Sequence, residues 1–231
     1  MPNWLANLLR ILLAAALPVC LVLTNVRLML TPFYTNWEYN LKDFPADVYG
    51  FTKEDRLQYS AIPLEYLLND QGIDFLGKLT LPDDKLANVD SGNRMYNDRE
   101  LKHMVDVKIV VRGAMIVWMV TGLLVIGSVV ALAWGPATRP LLRSGLLIGS
   151  GITIGVLVAL VAYIAIGFNT FFVQFHHVFF QGDSWLFRWS DTLIRLFPTK
   201  FWFDVFIWVG GGALVEAAVI GAMAWWGWRG K

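Results

Sequence analysis

Hydrophobic positions along this chain gather into four long, nearly uncharged runs separated by polar stretches. A helix that crosses a bilayer needs about 20 mostly apolar residues, and each run is that long. The pattern predicts spans at about 8–30, 109–134, 146–168 and 201–226. Arg10 and Arg27 stand near the ends of the first run, and Gly135-Pro136 closes the second. In the third, Gly149, Gly151 and Gly155 follow Gly145 at spacings that let helix backbones approach closely in lipid. The fourth holds Gly210-Gly211-Gly212 and ends in Trp225-Trp226-Gly227-Trp228, a composition suited to a membrane–water interface.

The longest polar stretch, 31–108, lies between the first two spans. Thr52-Lys53-Glu54-Asp55 predicts a helix start capped by Thr52, with Asp55 three residues on. Pro63 is expected to end that helix, because the residue before a proline is pushed away from α geometry. Asn97-Asp98-Arg99-Glu100 predicts a second start, and Pro82, Asp83-Asp84 and Ser91-Gly92-Asn93 read as the loop between. The expected fold is an all-α polytopic membrane protein. Residues 1–231 form one membrane domain of four transmembrane helices, with a small, mostly helical extracytoplasmic insert at 31–108.

Charge sets the expected orientation. The connection between spans two and three carries Arg139 and Arg143 and no acid, the carboxyl end has Arg229 and Lys231, and the amino end has Arg10. Short Lys/Arg-rich segments stay cytoplasmic, so both termini are expected inside, and 31–108 and 169–200 outside. The first run has the charge of a signal peptide, but it is long and no small-x-small site closes it. It is therefore read as an uncleaved helix. A net charge of +1 gives no basic field for nucleic acid. The single Cys20 excludes an internal disulfide framework or a Cys-rich metal site. Val19 is too large for a lipid-processing box, so Cys20 is read as a packed thiol.

Candidate chemistry centres on three histidines, His103, His176 and His177. The expected topology brings all three to the outer face, at similar depth. An imidazole serves as base in one form and acid in the other near neutral pH, and two at one site can divide those tasks. Asp106 can share a helical face with His103 and orient it, or pair with Lys102 or Arg99. Asp183 either supports the site or caps a turn. Arg188 and Arg195 are read as snorkelling to lipid phosphates. Glu216, an acid inside a span, has either a functional role or a partner in Arg112. His103, His176 and Asp183 could supply three zinc ligands, although there is no HExxH and no regular ligand spacing. The sequence has no GxSxG elbow, P-loop or dinucleotide fingerprint, and nothing marks Ser184 as a nucleophile.

Two blocks carry a resemblance. One is Glu100-Leu101-Lys102-His103-Met104-Val105-Asp106-Val107-Lys108. The other is Phe175-His176-His177-Val178-Phe179-Phe180-Gln181-Gly182-Asp183-Ser184-Trp185-Leu186-Phe187, followed by Leu196-Phe197-Pro198 and Phe201. Together they resemble the signature blocks of the lipoprotein intramolecular transacylase (Lit) family of bacterial integral membrane proteins. The resemblance implies an acyltransferase of the bacterial cytoplasmic membrane. It would move the sn-2 acyl chain of a diacylglyceryl-modified lipoprotein to the α-amino group of its N-terminal Cys, with membrane lipid around it and no cofactor. It also implies that one histidine of each block is catalytic, here His103 and His176, with His177 a competing candidate in the doublet. Arg188-Trp189 stands where the family often has an acidic residue and Pro. Two other classes compete with this reading: a metal-dependent membrane hydrolase, and a non-enzymatic sensor or assembly factor.

Overall fold

The structure, a computed structural model, describes residues 1–87 and 91–227. Its helices are α1 (Asn3–Met29), α2 (Pro32–Tyr39), α3 (Lys53–Leu68), α4 (Asp74–Gly77), α5 (Asp98–Ala133), α6 (Arg139–Ile166), α7 (Phe168–Phe179), α8 (Thr192–Leu196) and α9 (Thr199–Trp226). A 3-10 turn lies at Asp83–Lys85 and an isolated antiparallel bridge joins Thr80 to Arg94. Four helices, α1, α5, α6 and α9, are long and apolar enough to cross a membrane. Leu123, Ile126 and Val130 of α5 point outward, which hydrocarbon tolerates and water does not. The expected cluster Trp225–Trp228 continues past the described residues, which exclude Trp228, Arg229 and Lys231.

The chain divides into two compact units. The first comprises Met1–Arg27, Ala114–Gly167 and the chain from Ile207 onward. Leu17, Leu21, Leu157, Ala213 and Ala217 form one of its cores. Of the glycines in α6, only those on one face meet a neighbour. A Cβ on Gly149 would lie 3.0 Å from Leu17 Cδ2 and 3.2 Å from the Ala14 carbonyl, whereas Gly151 and Gly155 face open space. Pro18 has no N–H to donate to Ala14 one turn before it, so the carbonyl freed by the proline is the one that Gly149 approaches. Nearby, Asn25 Nδ2 donates to Leu21 O and to Glu216 Oε2, each at 3.0 Å. A Cβ on Gly212 would sit 2.1 Å from Asn25 Oδ1, so this polar contact needs a glycine opposite. Arg112, the partner expected for Glu216, donates to Asp70 Oδ1 at 2.9 Å.

The second unit comprises Leu28–Gly113 and Phe168–Phe206. Its core includes Phe51, Tyr66, Leu76, Met95, Tyr96 and Leu196. Thr52 caps α3 as expected: its Oγ1 accepts from Asp55 N at 3.1 Å, and Asp55 Oδ2 accepts from Thr52 N at 2.8 Å. The expected break at Pro63 does not occur, and α3 runs on to Leu68. Pro63 is fully buried and Leu64 and Leu67 are buried beside it, so packing outweighs one missing hydrogen bond. The third apolar helix stops at Ile166. Gly167 is extended and α7 starts anew at Phe168.

Arg195 also departs from expectation. Instead of snorkelling, it is 2% exposed. It donates to Asp47 Oδ2 at 3.1 Å, Lys85 O at 2.9 Å and Tyr49 O at 3.1 Å, and lies 3.5 Å over the Phe51 ring. Asp47 Oδ2 accepts from Phe51 N as well, at 2.8 Å. A buried charge with this many partners fixes three chain segments at once.

The glycine contacts lead to a prediction. Gly149→Leu should destabilise the protein by about 1–3 kcal/mol through overpacking, while Gly151→Leu should leave it unchanged. Thermal unfolding of both variants in the same detergent checks this, as a drop of several degrees for the first alone.

Candidate active site

The site belongs wholly to the second unit. Its first element begins with a reciprocal cap: Asn97 Oδ1 accepts from Glu100 N at 3.0 Å, and Glu100 Oε2 accepts from Asn97 N at 2.9 Å. Capping of this kind satisfies amide groups that an emerging helix leaves without partners. It sets the start of α5 and places His103 on the helix's second turn. The other element is α7, with His176 in its last turn. Beyond it Gly182 adopts φ 73°, a left-handed conformation that a side chain would strain. The turn lets Gly182 O accept from Trp185 Nε1 at 3.1 Å, and the segment through Phe187 returns against both histidines.

His103 and His176 meet with ring centroids 6.2 Å apart and planes 24° from parallel. Both are buried. Phe180 and Phe187 stand edge-on to His103 at 4.9 and 5.3 Å. Phe172 and Trp185 flank His176 at 4.2 and 4.7 Å. His176 Nδ1 lies 2.7 Å from Phe172 O. A carbonyl only accepts, so Nδ1 carries the proton and Nε2 keeps a lone pair; this tautomer is assigned from the hydrogen bond. His103 Nδ1 is buried with no hydrogen-bond partner among the described residues. Burial pushes His176 below the ordinary imidazole value of 6.5; the Phe172 carbonyl opposes that shift and His177 adds to it.

The remaining candidates separate cleanly. His177 is exposed, and its ring stands perpendicular to Trp185 at 5.5 Å. Asp183 is exposed too. Asp106 pairs with neither Lys102 nor Arg99 in the hydrogen bonds it forms here: it accepts from Ser184 Oγ at 3.3 Å. Arg99 donates instead to Leu186 O at 2.9 Å. Among the described residues no group of three or more His, Cys, Asp or Glu side chains converges as metal ligands. Reading the sequence missed Trp185, Phe180 and Phe187 as walls of the site. It also passed over Glu100, whose signal was its place three residues after a capping Asn.

The fold and this site define an all-α polytopic membrane protein with a buried pair of histidines. The family model described as lipoprotein intramolecular transacylase Lit matches residues 11–202, and the chain belongs to that family. An uncharacterized protein of Aquifex aeolicus (strain VF5) is 32% identical over 199 residues, covering 86% of this chain and 84% of its own. The solved membrane-integral lipoprotein intramolecular transacylase Lit of Bacillus cereus superposes with a TM-score of 0.77 at 19% identity. The match covers 96% of this chain and 95% of the other. Two solved forms of that protein, in which one histidine is replaced by Arg or by Ala, each match with a TM-score of 0.71. The family makes this chain a membrane transacylase related to lipoproteins.

Burial should govern reactivity here. Diethyl pyrocarbonate added to the detergent-solubilised protein is expected to modify His177 first, with His103 and His176 slower by at least about tenfold. Peptide mass spectrometry over time reads the order.

Proposed function

We propose that the chain transfers the sn-2 acyl chain of a diacylglyceryl-modified lipoprotein to the α-amino group of that lipoprotein's N-terminal Cys, using His103 and His176. The observation that carries this reading is the 6.2 Å approach of the two imidazoles in an aromatic enclosure. That the Bacillus cereus relative is a lipoprotein intramolecular transacylase, and that one of its histidines was chosen for substitution, support it.

In this reading the neutral amine attacks the ester carbon while His176 Nε2 takes its proton. The protonated His176 passes that proton to His103, which delivers it to the departing glyceryl oxygen as the new C–N bond forms and the C–O bond breaks. Both imidazoles begin and end neutral, so the cycle neither takes up nor releases a proton overall. Each transfer follows ordinary general acid–base catalysis. Because nucleophile and ester belong to one lipid-linked molecule, proximity lowers the barrier by as much as about 7–11 kcal/mol in favourable cases. An amide is more stable than the ester it replaces, so no nucleotide is consumed. Asp106, held by Ser184, supports the His103 helix. His177 and Asp183 lie outside the proton path.

Orientation follows from charge. With Arg10, Arg139 and Arg143 on the cytoplasmic side, as Lys/Arg-rich short segments require, the histidines face outward. There they meet the outer leaflet of a bacterial cytoplasmic membrane, where such lipoproteins are anchored.

Mass spectrometry of the N-terminal peptide of a co-expressed lipoprotein tests the proposal. The wild type should yield N-acyl S-monoacylglyceryl Cys. His103→Ala and His176→Ala should each lose at least about 100-fold in rate, the scale of an acid–base contribution, and His177→Ala no more than a few-fold. Diacylglyceryl Cys persisting with the wild type would refute the proposal.

The pH profile is a second check. A base works only when unprotonated, and His176 is depressed below 6.5. Once the loss of neutral substrate amine, which titrates at about 7.7–8 when free, is divided out, activity should persist as pH falls through 6.5 and be lost only at lower pH. A residual acid limb centred at or above 6.5 would contradict this.

A further inference from the structure

We infer that Glu100 is a positioning residue for His103, holding the start of α5 in register with α8 and the segment that returns along the site. The inference rests on the transacylase reading for its activity assay, but its geometry stands apart from that reading.

Glu100 is 1% exposed, and its two carboxylate oxygens accept from opposite sides. Oε2 takes Asn97 N of the α5 cap at 2.9 Å. Oε1 takes Leu193 N, the second residue of α8, at 2.7 Å. The neighbouring Asn97 extends the clamp, since its Nδ2 donates to Asp191 Oδ1 at 3.0 Å. Asp191 Oδ2 in turn accepts from Arg188 N at 2.8 Å. Thr192 Oγ1 closes the seam by donating to Met95 O. Residues 100, 103 and 106 follow at three-residue steps on neighbouring faces of one helix. They meet the returning segment in order: Glu100 meets Leu193, His103 meets Phe187, and Asp106 meets Ser184. Among the described residues the ring of His103 has His176, Phe180 and Phe187 as ring neighbours, and its Nδ1 has no hydrogen-bond partner. It therefore lacks a directional bond of its own comparable with the Nδ1 bond of His176. Of the bonds that join its helix to the returning segment, Arg99 to Leu186 O at 2.9 Å is exposed and Asp106 to Ser184 Oγ is long at 3.3 Å. The short, buried bond of Glu100 to Leu193 N at 2.7 Å, one turn earlier, is therefore the firmest hold on the position of His103.

A capping role alone would need one oxygen. Here the second oxygen reaches a segment far along the sequence, which caps nothing on α5. Glutamine at this position keeps the volume and one acceptor, but turns an NH2 toward one of the two amide N–H groups. Glu100→Gln should thus loosen the clamp with little loss of packing.

The experiment uses full-length protein in detergent, with diacylglyceryl lipoprotein as substrate. Glu100→Gln should lower kcat about 10- to 100-fold, leave KM within about twofold, and move the acid limb of the pH profile little. Glu100→Asp keeps the charge but shortens the reach, and should not restore the rate. Carbethoxylation of His103 should quicken at least threefold in Glu100→Gln while that of His177 stays constant. Should Glu100→Gln fail to fold, Asp191→Asn weakens the far side of the same clamp and should lower kcat several-fold. The inference is overturned if kcat and His103 reactivity both match the wild type, or if kcat falls only in proportion to the unfolded fraction. A wild-type protein inactive in this assay would instead count against the transacylase reading. The reactivity of His103 would then still decide the positioning role.

Discussion

A guanidinium taken out of water must recover its lost hydration from the protein, because an unpaired buried charge costs several kcal/mol. Arg195 does so through Asp47, two backbone carbonyls and the face of Phe51. These partners come from two stretches of chain remote from Arg195, so the demand of one side chain for partners determines where the 47–51 segment and Lys85 lie against α8. Two residues before Arg195, Leu193 turns its N–H to Glu100. The position of the first catalytic candidate thus follows from a charge it never touches. If Arg195 lost Asp47, the register of α8 would have to be found again.

Within that frame the aromatic rings serve two purposes. They exclude water from the histidines, which favours neutral imidazole at both positions in the resting site. They also limit ring rotation by shape, leaving polar bonds to choose the tautomer. His176 has such a bond, to its own helix at Phe172. His103 has none, and its placement is delegated to the carboxylate one turn away. The two halves of the site are therefore oriented by different means, one local in sequence and one long-range.

Much of this could be read from the sequence. The four apolar helices, the Thr52 cap and the Asn97–Glu100 start depend on local rules, and those rules held. Pro63 failed the local rule because burial of its neighbours outweighed one absent hydrogen bond. Arg195 was mistaken for an interfacial side chain because its partner, Asp47, is remote in sequence. The doublet His176-His177 posed a different difficulty. Adjacent helical residues point about 100° apart, so one must face inward, but which one depends on where Trp185 and Phe187 return. That return turns on Gly182, an unremarkable residue until its φ is known. The zinc alternative had the right residue types, but Asp183 is exposed rather than gathered with the histidines.

The meeting of α1 and α6 shows how specificity can be written without side-chain chemistry. Pro18 lacks a hydrogen on its backbone nitrogen, and Gly149 lacks a carbon on its α position. The first absence leaves a carbonyl looking for a partner, and the second clears the space in which a neighbouring Cα–H can supply a weak one. Lipid offers no drive to pair two oily surfaces, so a helix must recognise its neighbour by some other mark. Here the mark is a pair of omissions, one on each helix, that make sense only together. Such a pair would drift or persist as a unit, and a single change on either side would erase the address.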